Sequence, residues 1–271
     1  MRRRDKTLEP RIERAGQWLY EAHRARQRFA PLPAELAPRD AGEAYAIQSE
    51  YVGMRAGSLG PIAGYKIALT TPAMRAMVGL SDSIAGDMLE RSILRGPSRV
   101  RAADYVRLLV EFEIAVVLAE DLPAIGAPYD RASVARAVGA AMPALELADD
   151  RNADYANLAA NALMLIADNA WNEGAVLGNP VRDWQKLDLP TLRGVGSING
   201  AAVGEGHGRD VMGHPLDALA WVANNLAARG LGLWRGDVVI TGSLVTSKYP
   251  KPGDVVRFEV GELGAVELQV D

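Results

Sequence analysis

The sequence predicts an α+β fold, and three observations carry that prediction. The first sixty residues have helical periodicity. From about Pro61 the texture changes to short β-branched runs punctuated by glycine, and one amphipathic helix interrupts those runs. In chain order, residues 9–29 are rich in Arg, Glu, Gln and Ala, with Ile12, Leu19 and Ala22 spaced for one helix face. FAPLPAELAPRD ends that helix with three prolines, and AGEAYAIQSEYVGMRAG resumes a helical pattern. GYKIALTT, YVRLLVEFEIAVVLA, PALELAD, GAVLG, GVGSING, GDVVITGS, GDVVRFEV and GAVELQV then read as closely spaced strands. In HPLDALAWVANNLAARG, Pro215 falls in the first helical turn and Gly230 just past the last. Leu216, Leu219, Ala220 and Ala223 form its inner face. The expected organisation is a helical portion over residues 1–60 and a β-rich domain over 61–271 that carries the chemistry.

Composition narrows the class. A chain of 271 residues, 49% hydrophobic and 24% charged, has an ordinary soluble composition and can bury a sizeable core. A formal net charge of −4 argues against a nucleic-acid surface, which needs a basic stripe. With no cysteine there is no disulfide framework, thiolate metal site or thiol nucleophile, which suits a reducing cytoplasm. Arg2–Arg4 reads as a solvated terminus, since no apolar stretch of the signal-peptide kind follows it. No apolar run approaches the ~18 residues of a membrane span. A cytoplasmic location, with no membrane partner, is expected.

The stretch VEFEIAVVL places Glu111 and Glu113 inside the most strand-like run of the chain. In a strand they share one face about 7 Å apart, while Phe112, Ile114 and Val116 take the other. On a helix they would point apart. Neighbouring carboxylates in an apolar setting repel and lose hydration, so they must be protonated, displaced or balanced by a cation. The plainer alternative is a half-exposed strand whose polar face carries two glutamates. PALELADD adds Glu146 between Leu145 and Leu147. Three such glutamates on two strands suffice for an open-sided octahedral site. Hard oxygens without thiolates favour Mg²⁺ or Mn²⁺ over Zn²⁺. Lys66, within a Tyr-Lys-Ile-Ala-Leu run, is either a rim residue or a group that binds a carboxylate or shuttles a proton. The second role would have burial and a nearby cation lower its pKa.

GYKIALT, EFEIAVVL, PALELADDR, ADNAWNEGAVLG, VMGHPLDALAWVANNLAARG and GDVVITGSL, in this order, resemble the fumarylacetoacetate hydrolase superfamily. More narrowly, they are similar to its branch of 2-oxo-4-pentenoate hydratases and 2-oxo-3-hexenedioate (4-oxalocrotonate) decarboxylases. The resemblance runs from about Pro61 to the C-terminus. It implies a mixed, roll-like β-sheet core and assembly into homodimers or higher homo-oligomers. It also implies Glu111, Glu113 and Glu146 as ligands of Mg²⁺ or Mn²⁺, with Lys66 as a catalytic residue beside the metal. The implied activity is that of a lyase on a small 2-oxo acid of aromatic catabolism, a hydratase first and a decarboxylase second. An acylpyruvate C–C hydrolase and a non-catalytic metal- or ligand-binding relative are the further alternatives. Hydratases of the branch carry a Pro-Asp-aromatic-Gly element eighteen residues after the lysine. Here GLSDSIAGDML puts Ile84 at the aspartate, as in the decarboxylases, and Ala85 at the aromatic. Asp82 and Asp87 are the nearby acids that could substitute.

TGSL, residues 241–244, offers two hydroxyls and a glycine amide after a strand, suited to cradle a substrate carboxylate or simply to end the strand. Ser243, with Leu69 and Thr70 beside the lysine, is the expected substrate contact. Asp168 and Asn169 either orient the ligand shell through hydrogen bonds or make a turn. His214 reads as a helix cap, and His207, in GEGHGRD, as part of a glycine-rich hairpin loop. That loop fails the dinucleotide pattern at Arg209. The tryptophans at 171, 184, 221 and 234 read as packing residues.

Overall fold

Helix α1 (Pro10–Arg24) starts on a proline whose missing N–H costs nothing in a first turn, and it buries Ile12, Ala15, Leu19 and Ala22. Helix α2 (Ala41–Leu59) is capped by Asp40, whose carboxylate accepts from the Glu43 N–H at 2.9 Å. The computed structural model describes residues 9–271, so Arg2–Arg4 lies outside the described residues. The remaining elements are β1 (Ile62–Ala68), α3 (Pro72–Val78), β2 (Ile84–Leu89), β3 (Ile93–Arg95), β4 (Ser98–Val100), β5 (Leu108–Leu118), α4 (Arg131–Ala137) and β6 (Val138–Asp149). They continue with α5 (Ala162–Ala167), β7 (Asn172–Leu177), β8 (Arg193–Ile198), β9 (Ala201–His207), α6 (Pro215–Ala228), β10 (Val238–Lys248), β11 (Val255–Val260) and β12 (Gly264–Val270).

The strands form a seven-stranded sheet, β2-β1-β10-β5-β6-β7-β3, and a five-stranded sheet, β4-β12-β11-β8-β9. Both are mixed, because β1–β10, β3–β7 and β4–β12 pair parallel and the other pairs antiparallel. The core between the sheets uses one face of β5: Val110, Phe112, Ile114 and Val116 pack with Val256, Phe258 and Val260 of β11 and with Leu219 and Val222 of α6. Phe112 meets Phe258 edge-on, with ring centroids 5.5 Å apart. The opposite face of the large sheet is covered at one end by the helices. There Ile12, Leu19, Ile47 and Tyr51 share a cluster with Leu109, Ala148 and Trp171. At its other end the same face carries a smaller cluster of Ala115, Met142, Ala144 and Ile240. Glu111, Glu113 and Glu146 lie between the two by the period-two alternation of β5 and β6.

Several elements differ from the expectation. Strand β6 runs twelve residues, beginning before Pro143 in the alanine-rich VGAAM, which has no β-branched texture beyond its first residue. Helices α3, α4 and α5 are only seven, seven and six residues long, too short to display periodicity. His207 is not in a hairpin loop. It ends strand β9, and the turn is made instead by Asn199 (φ 52°) and Gly200 (φ 80°). The glycines of this strand mark close backbone approach rather than a turn, since a Cβ on Gly206 would collide with the Leu244 carbonyl. His214 does cap α6, its Nδ1 accepting from the Leu216 N–H at 2.9 Å. Trp171 and Trp184 are buried, but Trp234 is 43% exposed and is not a packing residue.

Candidate metal centre and substrate cavity

Antiparallel pairing of β5 with β6 sets Glu111 directly opposite Glu146, and on the other side of β5 Glu113 pairs with Ser243 of β10. Like charges opposite one another destabilise a sheet, so this register needs a compensating partner. One oxygen from each of the three carboxylates lies within 4.8 Å of the others. Glu113 and Glu146 are fully buried and Glu111 is half-buried.

One oxygen of each carboxylate is tied to the protein. Glu113 Oε2 accepts from the Gly242 N–H at 2.5 Å. Glu146 Oε1 accepts from Asn172 Nδ2 at 2.9 Å, and Glu111 Oε1 from the Ser247 hydroxyl at 2.6 Å. Gly242 sits at φ 113° with the Thr70 side chain where a Cβ would be, so only glycine presents its amide this way. Glu113 Oε1 and Glu146 Oε2, by contrast, are buried with no hydrogen-bond partner among the described residues. Burial, then the charges of Glu146 and Glu111, hold the Glu113 carboxyl well above the usual range. Burial likewise pushes Glu146 up to about 7, with Lys66 pulling the other way. Two orphaned carboxylate oxygens in a cluster this reluctant to ionise fit a hard divalent cation, which would satisfy both and restore the charged forms.

Lys66, on β1, lies 2.9 Å from Glu146 Oε1 and donates to the Ala170 carbonyl at 3.2 Å. Burial opposes its charge, but Glu146, Glu111 and Glu113 outweigh that and raise its pKa. In the metal-free protein the three carboxylates thus outweigh burial, and the lowering expected from burial together with a nearby cation belongs to the metal-loaded site.

Ala170 belongs to a segment in which Asn169, Ala170 and Trp171 all have left-handed backbone, with φ of 54°, 48° and 61°. Three consecutive non-glycine residues in this region are costly and persist only where the surroundings hold them. The Asp168 carboxylate contacts His23 Nε2 and Arg151, each at 2.5 Å. Glu173 pairs with Arg55 at 2.5 Å and with His23 Nδ1 at 3.2 Å. The Asn169 amide bonds both the N–H (2.7 Å) and the C=O (2.9 Å) of Asp87. This clamp aims the Ala170 carbonyl at Lys66 and the Asn172 amide at Glu146. Asp168 and Asn169 therefore make the turn and its anchors, while Asn172 and Ser247 are the side chains hydrogen-bonded to the glutamates. Sequence reasoning missed both. Asn172 lay within the quoted ADNAWNEGAVLG motif, whereas Ser247 had no motif to mark it.

A cavity of about 240 Å³ opens beside the cluster. Lys66, Leu69, Thr70, Glu111 and Ser243 line one end, so the expected substrate contacts come together with the lysine. Glu113 and Glu146 lie behind this wall. Ile84 also lines the cavity, but Asp82 and Asp87 do not. Asp82 accepts from the Trp221 indole at 2.9 Å, and the backbone of buried Asp87 is clasped by Asn169. Neither acid takes the place that Ile84 occupies.

Comparison with known proteins places this geometry in a family. The sequence profile of the fumarylacetoacetate (FAA) hydrolase C-terminal family matches residues 73–271. A 2-keto-4-pentenoate hydratase of Paraburkholderia phymatum is 31% identical over 94% of this chain and 96% of its own. A 4-oxalocrotonate decarboxylase of Pseudomonas putida is 30% identical over 84% of each chain. The structure of 4-oxalocrotonate decarboxylase from Pseudomonas putida G7, complexed with magnesium and adipate, superposes with a TM-score of 0.87. It is 26% identical and covers 98% of this chain and 100% of that one. The chain belongs to the fumarylacetoacetate hydrolase family.

Proposed function

We propose that the protein is a divalent-cation-dependent lyase, a hydratase acting on a small 2-oxo-enoate supplied as its 2-hydroxydienoate, of the 2-oxopent-4-enoate type in aromatic catabolism. One observation carries this reading: three glutamates converge with two bare buried oxygens, next to a buried lysine, at the wall of a substrate-sized cavity. Relatives that are hydratases and a decarboxylase along nearly the whole chain support it. Glu111, Glu113 and Glu146 would hold Mg²⁺ or Mn²⁺, which supplies positive charge against the negative charge that grows on the oxygens of a 2-oxo acid.

The chain's own residues then have distinct tasks. Lys66, fixed by Glu146 and Ala170 and kept charged, faces the cavity as the group able to donate and recover the proton that moves from the 2-hydroxyl to carbon on ketonisation. Leu69, Thr70 and Ser243 orient the acid end of the substrate. Asn172 and Ser247 hold two of the glutamates in place. The same reading puts the enzyme in the cytoplasm as a homo-oligomer. The absence of cysteine suits that compartment, and among the described residues no helix is long and apolar enough to cross a membrane.

A second reading, decarboxylase, is favoured by Ile84 standing in the cavity where hydratases of the branch carry aspartate. An acylpyruvate hydrolase would need a histidine near the glutamates to activate water. His23, His207 and His214 are not among the cavity-lining residues. The test supplies metal-stripped protein, then Mg²⁺- or Mn²⁺-loaded protein, with 2-hydroxypenta-2,4-dienoate and separately with 2-oxo-3-hexenedioate. Loss of the dienoate absorbance, with formation of 4-hydroxy-2-oxopentanoate, is expected. CO₂ release from the diacid alone would favour the decarboxylase, and silence on both with metal bound would point to another 2-oxo acid or to a non-catalytic relative.

A further inference from the structure

We infer that the cavity selects a monocarboxylic 2-oxo acid with an apolar far end and rejects a dicarboxylic one. The inference rests on the lyase reading for one point only, that the 2-oxo acid end sits at the glutamates.

The two ends of the cavity differ in kind. Beside Lys66 and Glu111 the wall carries the hydroxyls of Thr70, Ser243 and Ser247. Away from them it is built from Met74, Met77 and Val78 of α3, with Ile84, Leu158 and Leu165 facing. Among the described residues that line the cavity, Lys66 is the only cation, and its ammonium is engaged by Glu146 and the Ala170 carbonyl. The nearby arginines are turned elsewhere. Arg75, next to Met74 on α3, donates to the Leu69 carbonyl at 3.2 Å, Arg107 pairs with Asp150, and Arg151 pairs with Asp168. The Tyr155 hydroxyl, at the same end, already donates to Asp150 at 3.0 Å.

A second carboxylate several carbons from the first would lie among thioethers and aliphatic carbons with no cation. The one unpartnered donor among the described residues of that lining is the neutral indole N–H of Trp171, which packs against Tyr155. A single neutral donor does not offset the hydration that a carboxylate would lose there. An alkyl or aryl tail has the opposite balance, since it loses only unfavourable contact with water. Met74 and Met77 are 40% and 52% exposed, so two large apolar side chains stand in solvent at the mouth. Their unbranched, polarisable thioethers adapt to tails of different shape.

The test compares 2-oxohexanoate with 2-oxohexanedioate, two six-carbon acids differing only at the far end, by calorimetry on the Mg²⁺-loaded protein. Neither is an enoate, so binding is read apart from turnover. The expected result is a dissociation constant at least tenfold lower for the monoacid. Met77→Arg, which adds a cation at the exposed mouth, should narrow that ratio at least fivefold. A ratio below tenfold, or tighter binding of the diacid, would overturn the inference, as would a ratio unmoved by Met77→Arg. Binding of neither acid would overturn it together with the lyase reading. A parallel assay compares kcat/KM for 2-hydroxyhexa-2,4-dienoate and its 6-carboxylate counterpart. Equal turnover of both would retain the lyase and discard the selectivity. No turnover of either, with the saturated acids still discriminated, would discard the hydratase and retain the selectivity.

Discussion

The Lys66 ammonium lies 2.9 Å from Glu146 Oε1, and the two side chains are 4% and 0% exposed. It is the cation that faces three converging carboxylates, so apo stability depends on it. Lys66→Met should destabilise the metal-free protein by about 3–5 kcal/mol, the usual cost of leaving one partner of a buried pair uncompensated. Saturating Mg²⁺ should recover part of that loss. Urea denaturation of both proteins with and without Mg²⁺ checks this, and an unchanged apo stability would contradict the geometry.

Metal affinity should fall as the solution is acidified, because the ligands bind the cation only as carboxylates. With burial holding Glu146 up at about 7 and Glu113 well above its usual range, the decline should begin near neutrality. An exposed glutamate would delay it until near pH 4. Calorimetric titration with Mg²⁺ between pH 8 and pH 6 reads the slope.

Without metal, the same groups give a stability profile of definite sign. Glu146 holds its proton more tightly folded than unfolded, so its contribution favours the fold below pH ~4.5 and is lost as pH rises to about 7. The loss is on the order of 3 kcal/mol. Metal-stripped Glu146→Gln should lack that decline in urea denaturation across the same range.

The His23 bridge has a window of its own. Burial opposes the charged imidazole, but Asp168 and Glu173 outweigh it and raise the pKa above 6.5. Its stabilisation is fully present below about pH 6.5 and fades as pH climbs through the raised value. Wild-type protein should lose stability on that alkaline side, and His23→Gln should be less stable at pH 6 with a flatter profile. Parallel profiles for the two would mean that the bridge carries no charge.

How much of this was legible beforehand depended on distance along the chain. Glu111 and Glu113 stood out because a period of two puts them on one face, and Glu146 because leucines flank it. Lys66 was an ammonium inside an apolar run. Nothing local revealed that His23 would meet Asp168, 145 positions away, or that Ser247 would reach Glu111 across a strand pair. The left-handed run 169–171 was hidden for a related reason: only Asn169 readily takes that backbone, and Ala170 and Trp171 adopt it because both flanks are clamped. Strand β9 was masked by glycines that serve close packing, and the short helices α3 to α5 by their length.

The most direct test of the metal centre is Mn²⁺ binding to the metal-stripped protein, wild type against Glu111→Gln. Glu111 is the half-buried member of the trio, so its replacement should leave the circular dichroism spectrum and fold intact. One ion per chain is expected in the wild type, with a loss of affinity of at least a hundredfold in the variant. Equal affinity and stoichiometry in the two proteins would show that the three glutamates do not form the site.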